Sequence, residues 1–204
     1  MPTIYALKPA FQRLLEPACQ YLGKRGIHPN QVTQATTVIC IVYGALLALA
    51  PNSRLVVLLL PALLLGRMAL NAIDGMLATR FDRKTRKGAL LNEMGDVVSD
   101  CALYLPLAVR PELNPVLVIL VSFIGILVEM IGVASIQIGS SRRYDGPIGK
   151  SDRAFIFGLI ALFIGLGIDV QGWLNALLVA TIALSAYTIY NRGRKALSEK
   201  RPAN

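Results

Sequence analysis

Histidine and tryptophan occur once each in this 204-residue chain, cysteine three times, and acidic residues only 12 times against 21 lysines and arginines. One histidine and three cysteines (Cys19, Cys40, Cys101) without paired or metal-type spacing exclude a disulfide framework and a zinc module. The cysteines are expected to be reduced packing residues. Charged residues make up 16%, well below the roughly 25% of a soluble domain, and hydrophobic residues 54%. That composition excludes a disordered chain. The formal charge of +9 is basic, yet the apolar residues come in long blocks, so the charge does not point to nucleic acid. Long apolar blocks are what a bilayer solvent demands. No internal repeat is visible, and no secretory signal is expected, because the first apolar run begins some 30 residues in.

A spanning helix needs about 20 mostly apolar residues. Six stretches qualify: 32–50, 55–78, 88–109, 114–138, 154–170 and 172–191. All basic residues except Arg54, Arg67 and Arg110 fall in the N-terminal segment, the 80–87 hairpin, the 139–153 loop or the tail. The positive-inside rule then puts both termini and both basic loops in the cytoplasm. Trp173, Tyr187 and Tyr190 fit interfacial belts. Residues 4–25 carry Ile4, Leu7, Phe11, Leu14, Leu15, Ala18 and Leu22 at helical spacing, the pattern of an amphipathic helix in the cytoplasmic interface. Pro17 is expected to kink it. Whether this helix binds lipid or packs against the bundle is open at this point. The expected fold is an all-α membrane protein of six transmembrane helices plus that interfacial helix. It forms one domain: 1–30 interfacial helix and lead-in, 31–191 bundle, 192–204 basic cytoplasmic tail.

Ionisable groups inside a span are costly and mark a site by default. The second span carries Arg67, Asn71 and Asp74 within about 60° of one another; the third carries Asn92, Glu93, Asp96 and Asp100 within about 100°. The hairpin between them makes the two helices antiparallel neighbours. Asp74 then lies about 9 Å inside Arg80 and Asn92 about 6 Å inside Gly88, so the two polar faces meet at shallow depth. Carboxylates crowded in low dielectric repel unless a cation holds them. Oxygen donors suit Mg²⁺ or Mn²⁺, which sets Asn71, Asp74, Asn92, Glu93 and Asp96 as candidate ligands. Helix–helix polar contacts, or a proton- or sodium-coupled carboxylate cluster, are the alternatives. Asp100 lies about 18 Å beyond Gly88, where Arg67 is as good a partner as a metal. Glu129, mid-span in the fourth helix, is expected to pair with Arg67. His28, beside Pro29 at a helix start, is expected to cap.

The string Asn71-x2-Asp74-Gly75-x2-Ala78-Thr79-x8-Gly88-x3-Asn92-x3-Asp96 resembles the signature of the CDP-alcohol phosphotransferase family, D-x2-D-G-x2-A-R-x8-G-x3-D-x3-D. Ile27-His28-Pro29-Asn30-Gln31-Val32-Thr33 is similar to that family's lead into its first span. The likeness is strongest to a bacterial inner-membrane branch with N-x2-D-G and N-E-x2-D variants. Asn71 and Asn92 stand where the family has aspartate, and Thr79 where it has arginine. The resemblance implies a phosphatidyl-group transferase of phospholipid biosynthesis, moving that group from CDP-diacylglycerol or another CDP-alcohol to an alcohol acceptor and releasing CMP. It further implies one or two divalent ions, Asp96 as the base, CDP contacts from Asp74, Gly75, Ala78, Thr79, Arg80 and Gly88, a homodimer, and an inner-membrane site facing the cytoplasm. Glu93, about 60° from Asp96, and Arg80 are candidates to make up for the lost charges. Gly149-Lys150-x2-Arg153 resembles a Gly-Lys stretch of the family, implying that Arg142, Arg143, Lys150 and Arg153 bind a phosphorylated acceptor. Anionic lipid headgroups are the other reading of that loop. The departures leave two rivals: a catalytically impaired relative serving as a lipid- or nucleotide-binding membrane subunit, and a small ion-coupled transporter.

Overall fold

The computed structural model describes residues 8–168 and 171–199. Ile4, Leu7, Lys200 and Arg201, which figured in the sequence patterns, lie outside the described residues. Seven α-helices follow in order: α1 Lys8–Lys24, α2 Pro29–Leu49, α3 Arg54–Arg80, α4 Arg86–Tyr104, α5 Pro115–Ala134, α6 Lys150–Leu166 and α7 Gln171–Ser198. Short 3₁₀ turns extend α4 (Leu105–Val109) and α5 (Ser135–Ile138). The described residues contain no strand.

The termini of these helices follow from local chemistry. At the start of α2, the Asn30 N–H donates to His28 Nδ1 (3.2 Å) and the His28 N–H to Gln31 Oε1 (2.9 Å), with Pro29 in the first turn where its missing N–H costs nothing. Ser53, Thr85 and Asn114 cap α3, α4 and α5 through their side-chain oxygens. Pro17 lies inside α1 without ending it.

Four helical stretches are long and apolar enough to cross a membrane: Pro29–Leu49, Arg54–Arg80, Pro115–Ile138 and Gly172–Ser198. The chain is an integral membrane protein. Helices α4 and α6 fall short of that measure for different reasons. Glu93, Asp96 and Asp100 interrupt α4, and α6 has only 17 helical residues before Gly167 closes it in the left-handed conformation. Both are nonetheless packed into the bundle, α4 along α2 and α6 along α3. Missing Cβ atoms allow the close approach: one added at Gly44 would sit 2.1 Å from the Ala102 carbonyl oxygen, and one at Gly165 2.6 Å from the Leu58 backbone. Leu60, Leu64, Leu103, Val118, Val121, Phe157, Ile160 and Leu178 form the core, with the Tyr104 and Phe157 rings stacked at 4.0 Å. Val38, Val42, Ile119 and Phe123 face outward, as lipid-facing side chains do.

One open choice is answered and two expectations change here. Helix α1 packs on α3 through Leu15, Cys19 and Leu22 against Ile73, Met76 and Leu77, and presents Leu14 and Tyr21 on its other side. The stretch set apart from the bundle as a basic tail from residue 192 continues α7 to Ser198, with Arg192 only 2% exposed. Helices α3 and α4, expected side by side, are not a closely packed pair; α2 packs against both. The gap between them is bridged by polar side chains.

Candidate functional site

Asn71 on α3 donates through Nδ2 to Asp96 Oδ1 on α4 at 2.7 Å, which sets the antiparallel register of the two helices. One turn nearer the 81–85 hairpin, Asp74 and Asn92 therefore lie at a common level on either side of the gap. Asp74 is 6% exposed, and its Oδ2 accepts from Thr33 Oγ1 on α2 at 2.7 Å. Asp96 and Lys150 are within Coulombic reach of it. The cleft thus has walls from α2, α3, α4 and the start of α6.

The second oxygen of Asp96 is paired with Lys150 Nζ, the first residue of α6. Arg67, 4% exposed, donates to the Asp96 backbone carbonyl (2.9 Å) and to Asp100 Oδ1 (2.5 Å). The pairing of Asp100 with Arg67 is one of the two options that its depth allowed. Asp100 Oδ2 in turn accepts from Arg153 Nη2 at 3.1 Å, and the same nitrogen donates to Glu129 Oε1 at 3.1 Å. Glu129 therefore pairs with Arg153 rather than with Arg67. It also lies 3.6 Å from Arg142 and 4.0 Å from Arg192. Arg142 donates to Glu93 Oε2 at 2.8 Å. The result is one continuous ionic network across five helices (α3 to α7) and the 139–149 loop. Asp96, Asp100, Glu93 and Glu129 meet Arg67, Arg142, Lys150, Arg153 and Arg192, with Asp74 alongside.

Several candidate residues take places other than those expected. Arg153, 1% exposed and held by two carboxylates, is a buried structural cation and not a group that can meet an incoming acceptor. Glu93 turns to Arg142 instead of joining Asp74 and Asp96, and no cluster of three or more His, Cys, Asp or Glu that could hold a metal occurs among the described residues. Arg80 is paired with Glu16 on α1. Arg143 is held by Asp145 (2.7 Å) and Glu199 (2.9 Å). A Cβ at Gly88 would meet Asn30 Oδ1 at 2.5 Å, so this glycine serves contact with α2. At Gly75 a Cβ would meet nothing within 4 Å, which leaves open space beside Asp74. Ala78 is half-buried, Thr79 exposed and Asn92 half-buried on the same stretches.

The donor set can be tested against a divalent ion. Mg²⁺ is commonly held by one or two carboxylates with waters and substrate phosphates completing its shell. Asp74 and Asp96, with the Asn92 carbonyl at the level of Asp74, match that demand for one ion. The Asn71 amide turns its nitrogen to Asp96, so it adds no oxygen on that side.

Sequence analysis gave no role to Thr33 or Arg192. Thr33 lay in the quoted helix lead-in, and its hydroxyl one turn from Pro29 was the only signal. Arg192 donates to the Asp145 carbonyl (3.1 Å) and the Val128 carbonyl (2.5 Å), tying α7 to α5 and to the loop. Its position among charged tail residues hid it.

The helical bundle that carries these residues has close structural parallels. Phosphatidylinositol phosphate synthase (PgsA1) of Mycobacterium tuberculosis superposes with a TM-score of 0.74 in its structure with CDP-DAG bound, at 19% identity, covering 94% of this chain and all of that one. The same synthase in complex with manganese and citrate also gives 0.74, at 18% identity, over 92% of each chain. These likenesses define the fold. Inner membrane protein YnbA of Escherichia coli is 46% identical over 195 residues, 96% of either chain. An uncharacterized protein of Aquifex aeolicus is 36% identical over 104 residues, about half of each chain. No protein-family model matches the chain. The chain belongs to the family of YnbA and has the fold of the CDP-alcohol phosphotransferases.

Proposed function

We propose that the protein transfers a phosphatidyl group from CDP-diacylglycerol, or a similar CDP-alcohol, to an alcohol acceptor and releases CMP, as a step of phospholipid biosynthesis. The observation that carries the reading is the cleft in which Asp74 and Asp96 face one gap between α3 and α4, with open space at Gly75. Six membrane passes (α2 to α7), both termini and the cleft on the cytoplasmic side, an inner-membrane location and a homodimer complete the proposal. The basic 81–87 and 139–149 connections support the orientation. CDP-diacylglycerol and manganese are what the structural neighbours hold, which supports a CDP-alcohol donor and a divalent ion here.

In this reading Asp74 and Asp96, with Asn92, hold one Mg²⁺ or Mn²⁺. The ion supplies neutralisation of the donor diphosphate and of the departing CMP. The Thr33 hydroxyl and the Gly75 backbone N–H fix the Asp74 carboxylate. Gly75 leaves room for the nucleotide, with Ala78 and Thr79 on the same helical stretch toward the hairpin. Asp96 accepts the proton of the acceptor hydroxyl as the hydroxyl oxygen attacks phosphorus and the bond to CMP breaks. A carboxylate has about four acceptor positions, so bonds from Asn71 and Lys150 leave it able to do so. Arg142, which reaches Glu93 on α4, would meet a phosphorylated acceptor, with Arg143 on the same loop in support once released from Asp145 and Glu199.

The test is CMP release in lipid nanodiscs with CDP-diacylglycerol, a panel of alcohols and Mg²⁺ or Mn²⁺. Asp96→Ala is expected to lower release by about 10²–10⁴-fold, the usual contribution of a general base. Release unchanged in that variant would remove Asp96 from the role.

One observation favours a second reading. The cleft's carboxylates are already met by the chain's own cations, as suits a lipid- or nucleotide-binding subunit without turnover. Activity that appears only in Asn71→Asp/Asn92→Asp would favour it.

A further inference from the structure

Lys150 is not placed like a surface lysine. It opens α6, whose start is fixed by the Gly149 N–H donating to Asp152 Oδ2 at 2.8 Å and, one turn on, by Arg153 locked between Asp100 and Glu129. Helix α6 packs closely along α3, with Gly165 against the Leu58 backbone. The backbone of Lys150 is therefore held rigidly over the cleft, and its ammonium rests on Asp96, whose side chain is only 12% exposed. The opposite Asp96 oxygen receives an N–H from Asn71 instead of facing another oxygen donor. Both oxygens of this carboxylate are thus met by positive or donating side chains, while Asp74 accepts only from the Thr33 hydroxyl and the Gly75 backbone N–H and is paired with no cation.

We propose that Lys150 is a resident counter-cation of the cleft, a positioning residue that takes the place a second divalent ion would occupy on Asp96. The cleft accordingly binds one divalent ion per chain, on the side of Asp74 and Asn92. The inference rests on the reading of the cleft as a divalent-ion site. Its physical basis is that a second dication at Asp96, crowded between the first ion and the fixed ammonium, meets like-charge repulsion from both in a poorly solvated gap, with no third carboxylate among the described residues to offset it.

The experiment counts bound Mn²⁺ by the electron paramagnetic resonance signal of the free ion, in nanodiscs holding the full chain. Wild type is expected to bind one Mn²⁺ per chain. Lys150→Met should bind two, or bind the ion at least tenfold tighter, and Lys150→Arg should stay at one. Two ions in wild type, none in wild type, or no change in Lys150→Met would each overturn the proposal. The wild-type count needs no variant, so a misfolded Lys150→Met does not shield it. CMP release measured on the same nanodiscs separates the two readings. Release with two bound ions sinks the role of Lys150 and leaves the transferase, whereas one ion without release for any acceptor does the reverse.

Discussion

Asp100→Asn isolates the buried half of the ionic network. Asp100 accepts from Arg67 at 2.5 Å and from Arg153 at 3.1 Å, and these arginines are 4% and 1% exposed. Asparagine keeps the shape and one acceptor oxygen but removes the charge that both guanidinium groups face. Breaking a buried pair by removing one partner costs about 3–5 kcal/mol, because the remaining charge is left uncompensated in low dielectric. The lower end applies here. Arg67 keeps the Asp96 carbonyl at 2.9 Å and Arg153 keeps Glu129 at 3.1 Å. A loss of about 3 kcal/mol, at roughly 2–4 °C per kcal/mol for a chain of this size, lowers the melting temperature by about 6–12 °C. Thermal unfolding in nanodiscs, followed by circular dichroism at fixed lipid composition, reads this directly. Asp100→Leu/Arg153→Met, which removes both charges and leaves apolar groups, should recover part of the loss. A melting temperature for Asp100→Asn within about 2 °C of wild type, well under the shift expected from a broken buried pair, would refute the reasoning. Asp100 would then belong with the cleft and not with the scaffold.

Two glycines make opposite predictions: Gly44→Ala puts a Cβ 2.1 Å from the Ala102 carbonyl oxygen and should destabilise by about 1–3 kcal/mol in the same melt, while Gly75→Ala meets no atom within 4 Å and should melt like wild type. In the 139–149 loop, burial pushes the Asp145 carboxyl up, but hydrogen bonds and charge from Lys195 and Arg143 outweigh it and hold the group below its ordinary value. A folded pKa below the unfolded one gives stability that is complete above the unfolded value, about 3.9, and is lost as pH falls through the folded value. The protection factors of the loop amides, which correct for the intrinsic pH dependence of exchange, should therefore be flat from pH 8 to about 5 and fall only below about pH 4; loosening between pH 5 and 7 would contradict the clamp.

The parts of the fold that one helix determines by itself were legible in the sequence. Apolar length located α2, α3, α5 and α7, and the polar face of α3 held Arg67, Asn71 and Asp74 together as the 3.6-residue period requires. The histidine before Pro29 was read as a cap and is one. What failed were the inferences about which helices pack directly together and about partners on helices far apart in the sequence. Hairpin connectivity suggested that α3 and α4 touch, yet α2 packs on both and the two are joined by side chains across a gap. Depth alone matched Glu129 with Arg67; the bundle instead turns Glu129 toward α6, where Arg153 waits one turn inside the helix start.

The basic residues show why this limit is physical and not a matter of better counting. A cation near a helix end satisfies the positive-inside bias whether it lies in the headgroup region or turns inward. Arg142, Lys150, Arg153 and Arg192 all satisfy it, and all four turn inward onto Glu93, Asp96, Asp100 or Glu129. The deciding quantity is the presence of a carboxylate at the same depth on a neighbouring helix, because only such a partner offsets the desolvation of a buried guanidinium or ammonium. Arg83, by contrast, is salt-bridged to no carboxylate among the described residues and donates to the Ile27 carbonyl at 2.9 Å. One charge pattern thus performs two tasks here. In the proposed orientation it directs helix insertion, and four of its members also neutralise the carboxylates of the ionic network.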